Sequence, residues 1–184
     1  TGVFSGGSGA VTVGGALTVA SFTASSNTTA VAGNFTPTTF SHNSGSVSLA
    51  GGGALSAGGV PLSLNNLTVN ATAATVTLGG AISVADNLTI SAGTLDVSAS
   101  NYGVTTGGTW ANSGTFTARS GTVTFNDATQ VTSISGNTTF YNLSCVPAGK
   151  SLQVTAGSTQ TVNGTLTLTG SSGNLIALQS SATW

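Results

Sequence analysis

Short apolar-polar-apolar triplets recur along the whole chain. Val11-Thr12-Val13 and Leu17-Thr18-Val19 are the first, and Leu67-Thr68-Val69 and Val76-Thr77-Leu78 repeat the pattern further on. Successive side chains of a β-strand point to opposite faces, so each triplet predicts a short strand that buries its outer residues and exposes its middle Thr. The triplets recur about every seven residues, separated by Gly, Asn, Ser or Ala, a spacing that leaves no room for helices.

The apolar pattern also repeats over a longer distance. Residues 40–78 and 116–154 align at an offset of 76 without a gap, and nine of the eleven large apolar positions of the first segment coincide with apolar residues of the second. A long repeat of core positions indicates stacked structural units. We therefore predict a partial unit at residues 1–35 and two repeat units at 36–110 and 111–184, in one continuous array whose units end at Phe35, Trp110 and Trp184.

Two all-β architectures fit strands this short. The favoured one is a parallel β-helix, or solenoid, with about three strands per turn, built from repeats of about 75 residues. The alternative is a fibre of repeated β-sandwich units joined by hairpins. Sandwich strands are usually longer, and the best hairpin dipeptide is Asn163-Gly164, so the solenoid is preferred.

Composition supports β-structure and limits the possible partners. Only 3% of the 184 residues are charged and 39% are apolar, with no Glu to favour helices and a formal net charge of −1. Such a chain has no electrostatic footprint for nucleic acid or an anionic membrane. The longest apolar run, Leu175 to Leu178, is far shorter than the roughly 20 residues of a membrane-spanning helix. The absence of an initiator Met suggests processing or a fragment.

Three segments carry a resemblance to a known class of proteins. They are WANSGTFTARSGTVTFN at 110–126, TTFYNLS at 138–144 and VNGTLTLTG at 162–170. These resemble the repeats of long secreted or surface-anchored prokaryotic proteins and are similar to the β-helical stalks of autotransporter and haemagglutinin-like adhesins. The resemblance implies a secreted, extracellular or cell-surface role as a filament or adhesin. His42-Asn43 and Gly51-Gly52-Gly53 depart from the pattern, which puts regular stacking there in doubt.

The candidate chemical groups give no complete site. Gly149-Lys150-Ser151 resembles the end of a phosphate-binding loop but lacks the preceding Gly and the following helix, so an exposed turn is expected. His42 is the only histidine, and no acid-base pair accompanies it. Asp86, Asp96 and Asp127 offer oxygen ligands for calcium without a recognised spacing.

Cys145 replaces Val69 of the other unit and is expected to be a small buried hydrophobe. We therefore predict no catalytic, cofactor-binding or metal-binding residues, no cofactor and no enzymatic activity.

A binding function remains the alternative to a structural one. Exposed Thr and Asn faces offer a surface for glycan, mineral or ice, and the aromatic residues that a glycan site would use are Tyr102, Trp110, Tyr141 and Trp184. Glycosylation sequons begin at Asn27, Asn34, Asn66, Asn70, Asn87, Asn137, Asn142 and Asn163. Asn66 and Asn142 share a repeat position, which favours a turn or an Asn ladder over a glycan there.

Two structural expectations follow from the repeat. Phe116, Val123, Phe125, Phe140 and Leu143 should face inward and Thr117, Thr122 and Thr124 outward. Neither end of the sequence resembles a cap, so we expect its partners to be identical chains or flanking repeats. These would form a head-to-tail filament or a longer polypeptide rather than a free monomer.

Overall fold

Three walls of parallel strands form a β-solenoid that runs the length of the molecule. In the computed structural model, which describes residues 2–129 and 131–182, every pairing between named strands is parallel. Each turn of the solenoid places at most one short stretch of strand on each wall, and the stack has about eight turns. The predicted parallel β-helix with three strands per turn is confirmed, and the antiparallel sandwich is not observed.

Wall 1 is the longest ladder. Its strands are β2 (Val11–Val13), β4 (Thr28–Val31), β6 (Ser46–Leu49), the first part of β9 (Asn66–Leu78), the first part of β11 (Leu88–Asp96), β13 (Trp110–Asn112), β16 (Thr132–Ser135), β19 (Ser151–Val154) and β22 (Ala177–Ser180). The strands β9 and β11 bend at a corner and continue onto wall 2.

Walls 2 and 3 complete each turn. Wall 2 begins with single bridges that link Leu17, Phe35 and Leu55 and continues through β7 (Gly53–Leu55), the second parts of β9 and β11, β14 (Thr115–Thr117), β17 (Thr138–Phe140) and β20 (Gln160–Val162). Wall 3 contains β1 (Val3–Ser5), β3 (Ser21–Thr23), β5 (Thr39–Ser41), β8 (Leu62–Leu64), β10 (Ile82–Val84), β12 (Val104–Thr106), β15 (Thr122–Phe125), β18 (Asn142–Cys145) and β21 (Leu166–Leu168).

The turns differ in length along the stack. Phe4 pairs with Phe22 and Phe22 with Phe40, so the first turns contain 18 residues each. Near the other end, Leu152 pairs with Leu178, 26 residues later. The additional residues of this last turn lie in the corner loops, because β19, β20 and β21 have only three or four residues each.

The offset of 76 residues joins positions on different walls. Phe40 lies in β5 on wall 3, whereas Phe116, its counterpart in the repeat, lies in β14 on wall 2. Leu55 is fully buried, whereas its counterpart Val131 is 59% exposed in a corner loop. The sequence repeat therefore corresponds to a rotation by one wall, and the period of the ladder itself is the single turn.

One sharp corner depends on a glycine. The pairing of β9 with β11 is irregular between Ile90 and Thr94, where both strands turn from wall 1 to wall 2. Gly93 has a φ of +79°, and a Cβ placed on it would lie 2.0 Å from the carbonyl oxygen of Ala71. Any side chain at Gly93 would therefore collide with the backbone of the preceding turn.

The core fills the space inside the three walls. The residues expected to face inward are all buried, namely Phe116, Val123, Phe125, Phe140 and Leu143. Thr117, Thr122 and Thr124 alternate with them and remain partly exposed, as expected for outward positions. The strand register predicted for this segment is confirmed.

Aromatic rings stack along the axis at two levels. Near the first turns the rings of Phe4, Phe22 and Phe40 stack with centroids 5.2 and 6.1 Å apart, and Phe35 meets Phe40 edge-on at 5.1 Å. A second cluster lies in the middle of the stack and contains Trp110, Phe116 and Phe140. Such contacts stabilise the packing beyond the area they bury.

The outer surface of wall 3 carries a column of hydroxyl groups. The middle outward residue of six successive strands is Ser or Thr, in the order Ser63, Ser83, Thr105, Thr124, Ser144 and Thr167. Stacked neutral hydroxyls avoid the repulsion that like charges would cause at this spacing.

None of the described segments is helical, and so none provides an apolar helix long enough to cross a membrane.

Replacing Phe125 tests the register of wall 3. Phe125 is fully buried, and Phe125→Ala should lower the free energy of unfolding by about 3–5 kcal/mol because a large ring leaves a cavity. The control Thr124→Ser changes only an outward methyl group and should have little effect. Urea denaturation measures both changes, and equal small effects would contradict the register.

Candidate functional sites

The turn at Gly149-Lys150-Ser151 is not a phosphate-binding loop. Ser151 begins a strand rather than a helix, and the Lys150 side chain is fully buried. The expectation of an exposed turn is thus wrong for Lys150. The corner loop folds inward at this residue, so its ammonium group lies among backbone carbonyls instead of facing solvent.

Lys150 connects three successive turns. Its Nζ donates to the carbonyl oxygen of Gly107 at 3.2 Å and to the carbonyl oxygen of Asp127. The Thr132 hydroxyl donates to the same Gly107 oxygen at 3.3 Å. Burial lowers the pKa of Lys150, although the nearby Cys145 and Asp127 act in the opposite direction. Lys150 therefore joins the corners between walls 3 and 1.

Cys145 is a buried free thiol, as expected from its place in the repeat. Burial raises the pKa of the thiol, which keeps it protonated and unreactive at neutral pH.

The three aspartates lie apart, and Asp96 and Asp127 have different hydrogen-bond partners. Asp96 accepts hydrogen bonds from Arg119 Nε at 2.6 Å and Nη2 at 2.7 Å, and a third from the Ser98 N–H at 2.8 Å. The bonds from Arg119 lower the pKa of Asp96 most, and the bond from Ser98 lowers it further. Asp127 accepts two hydrogen bonds from Thr129 in its own loop. Within residues 2–129 and 131–182, no three His, Cys, Asp or Glu side chains come close enough to hold a metal ion.

His42 is part of a tight turn. Its Nδ1 accepts a hydrogen bond from the Ser44 N–H at 2.9 Å, and the neighbouring Asn43 and Ser44 have positive φ angles. The ring nitrogen thus stabilises a local loop, at the position where the sequence departs from the resembled repeat.

Asparagine side chains connect consecutive turns at the corners. The side-chain oxygen Oδ1 of Asn66 accepts hydrogen bonds from both the backbone and the side-chain nitrogen of Asn87, each at 3.1 Å. Asn87 Oδ1 accepts in turn from the Thr109 N–H at 3.0 Å. Asn142 accepts in the same way from the Thr165 N–H at 2.9 Å. Of the turn or Asn ladder predicted at Asn66, the structure shows a ladder with Asn87, and these side chains satisfy backbone donors that the corner would otherwise leave unpaired.

The aromatic candidates separate into buried and accessible residues. Trp110 is fully buried, and its indole N–H donates to the Thr138 hydroxyl at 3.1 Å, so it offers no surface to a glycan. Tyr141 is 38% exposed on a short corner. Trp184 lies outside the described residues. Tyr102 is partly buried and lines a groove.

This groove lies at the corner between walls 2 and 3. Its two sides are long corner loops, residues 56–61 and 97–103, and its floor is the short corner loop 79–81 of the turn between them. The cavity has a volume of about 280 Å³. The residues that line it are Ala57, Gly59, Val60, Pro61, Gly79, Gly80, Ala81 and Tyr102. The groove exists because the loops of adjacent turns differ in length. No short sequence motif predicts this difference.

The first and last turns expose their apolar interior. At one end Leu166, Leu168 and Leu178 are 50%, 38% and 61% exposed and border a cavity of about 270 Å³. At the other end Phe4 is 42% exposed beside a cavity of about 320 Å³ that Leu17 also lines. In the middle of the stack the corresponding inward residues are covered by the turns above and below.

Comparisons with known proteins give no family assignment. No family model, no curated protein and no solved structure matches the chain.

The Asp96–Arg119 ion pair predicts a loss of stability in acid. Because the folded-state pKa of Asp96 is lowered, its contribution is complete above the ordinary aspartate pKa of about 3.9 and disappears as pH falls through the lowered value. Asp96→Asn should remove this part of the acid dependence, whereas Asp86→Asn should preserve it. Urea midpoints at pH 7 and pH 3 provide the comparison, and an unchanged acid dependence in Asp96→Asn would contradict the assignment.

The lowered pKa of the buried Lys150 also makes the stability of the fold depend on pH, at the alkaline end of the range. Because its folded-state pKa is lowered, the unfolded chain binds more protons between that value and the ordinary lysine pKa of about 10.4. The Lys150 contribution to stability should therefore rise with pH in this interval, while the raised pKa of Cys145 contributes in the opposite direction in both proteins. Between pH 7 and pH 10 the urea midpoint of Lys150→Met should fall more, or rise less, than that of the wild type, and an equal change in both proteins would show that Lys150 makes no such contribution.

Proposed function

We propose that this chain is a structural segment of an extracellular fibre, stalk or adhesin on a prokaryotic cell surface. The observation that carries the proposal is the uninterrupted stack of about eight turns whose end turns expose core residues. The resemblance of its repeats to secreted surface proteins supports the location. Support for a structural role also comes from the described polar side chains, which are used mainly to connect one turn with the next.

The stack has the properties that an extended structural element needs. Its backbone hydrogen bonds run between successive turns, nearly parallel to the long axis, so each turn supports its neighbours. The outer faces carry mainly Thr, Ser and Asn, which are compatible with close stacking of like residues. A low charge lets further turns, or further copies, approach without repulsion.

The exposed end turns indicate what kind of surface such a segment would contact. Among the described residues, the outermost strands at each end pair on one side only and lie beside exposed apolar side chains, and both features favour the addition of another turn. The added turn comes from flanking repeats of a longer polypeptide or from an identical chain in a heterologous, head-to-tail contact. In either case the partner surface is another solenoid turn.

Self-association can be tested with one residue of the exposed end. Leu178 lies in β22, where its side chain faces the open core, and Leu178→Lys should place a charge in the contact and prevent end-to-end assembly. The wild-type chain should form linear oligomers as its concentration rises. Sedimentation velocity and negative-stain microscopy measure the size and shape of the species.

Leu175 provides the matched control. It is also a highly exposed leucine, 74% accessible, but it lies in the loop before β22. Leu175→Lys should assemble like the wild type. A wild-type chain that stays monomeric at high concentration would overturn the proposed assembly, and equal behaviour of both variants would show that the end is not the contact.

A further inference from the structure

We propose that the groove beside Tyr102 is a binding site for a neutral carbohydrate. This site is separate from the structural role proposed above, because it lies on the side of the solenoid and involves neither end. The loops that form it belong to three successive turns in the middle of the stack.

The spacing of the turns sets the width of the groove. Neighbouring strands lie about 4.8 Å apart, so loops separated by one intervening turn lie about 10 Å apart. A gap of this width holds one ring-shaped group at van der Waals distance from both sides. Tyr102 lines one side, and Val60 and Pro61 line the other.

The floor is open because it consists of small residues. Gly79, Gly80 and Ala81 form the shortest of the three loops, and a Cβ placed on Gly80 would meet no atom within 4 Å. The Gly80 backbone makes no hydrogen bond with the described residues, and neither does the Tyr102 hydroxyl. The Gly80 peptide groups and the Tyr102 hydroxyl are thus available to bond a ligand held between the lining residues.

The mixed chemistry of the groove selects the class of ligand. None of the described residues that line it is charged, so a charged ligand would lose solvation without gaining a partner there. A purely apolar ligand would leave the Gly80 peptide groups and the Tyr102 hydroxyl without water or a partner. A pyranose ring matches both requirements, since its C–H faces pack on Tyr102 and on Val60 and Pro61, and its hydroxyls reach the floor.

The test uses an array of neutral oligosaccharides built from hexoses and N-acetylhexosamines, with sialylated and sulfated glycans and a peptide panel as comparators. The strongest neutral glycan is then titrated by calorimetry. We expect the wild-type chain to bind at least one neutral glycan. Tyr102→Ala should weaken that binding about tenfold or more because the stacking ring is lost, and Tyr102→Phe should keep most of it.

A second variant separates loss of the site from loss of the fold. A Cβ on Gly80 would meet no atom within 4 Å, so we expect Gly80→Val to fold normally, with circular dichroism and the unfolding midpoint near wild type. The added side chain should occupy the floor of the groove and abolish binding. Gly15→Val, at another open glycine far from the groove, and Tyr141→Ala, at the other accessible tyrosine, should bind normally.

The absence of any neutral glycan hit, binding to charged glycans or peptides alone, or undiminished binding by Gly80→Val would each overturn the proposal. End-to-end assembly is measured independently and is expected to be unchanged in all of these variants.

Discussion

Hydrogen bonding between successive turns is the constraint on which the whole structure depends. All strands except β9 and β11 are three or four residues long, and each pairs only with parallel strands of the turns before and after it. A strand of this kind must keep its residues in register with both neighbours, because a shift of one residue would turn the core side chains outward. Like residues are therefore stacked above like, as in the Phe4, Phe22 and Phe40 column and the hydroxyl column of wall 3. The scarcity of charge follows directly, since a column of like charges would repel at every step.

The two cations, Arg119 and Lys150, lie in corner loops, outside the regular strands of the walls. Arg119 and Asp96 pair across consecutive turns at a corner, and Lys150 donates to carbonyl oxygens of the two turns that precede its own. Each cation thus joins turns whose corner loops are long or irregular. The asparagines perform the same task in neutral form, because a side-chain carbonyl oxygen can accept from the backbone N–H of the next turn. At the corners, where the ladder is interrupted, these side-chain hydrogen bonds add to the backbone hydrogen bonds between successive turns.

The corners also contain the variation from which a binding surface can arise. The walls must stay regular, so insertions are tolerated only in the loops between them. Two long loops on either side of a short one form the groove beside Tyr102, with no change in the underlying sheets. A structural solenoid can therefore carry a ligand site on its side while its ends remain free to stack. The two proposed roles use different parts of the same architecture.

Local alternation was enough to determine much of this protein from its sequence. The triplets, the near absence of charged residues and the inward set around Phe125 and Phe140 predicted a parallel solenoid with three strands per turn, because the side-chain period of a strand is a property of two or three adjacent residues. The 18-residue spacing of Phe4, Phe22 and Phe40 was also visible in the sequence, and it would have given the length of the first turns.

Only the tertiary structure decided which wall each strand joins, because that depends on the summed lengths of the preceding loops and these vary from turn to turn. Equivalent residues of the 76-residue repeat thus lie on different walls, Phe40 on wall 3 and Phe116 on wall 2. The burial of Trp110 and Lys150 and the groove beside Tyr102 depend in the same way on which loops and side chains become neighbours. Residues about 20 or more positions apart come into contact only when the stack has formed, and no local pattern encodes that contact.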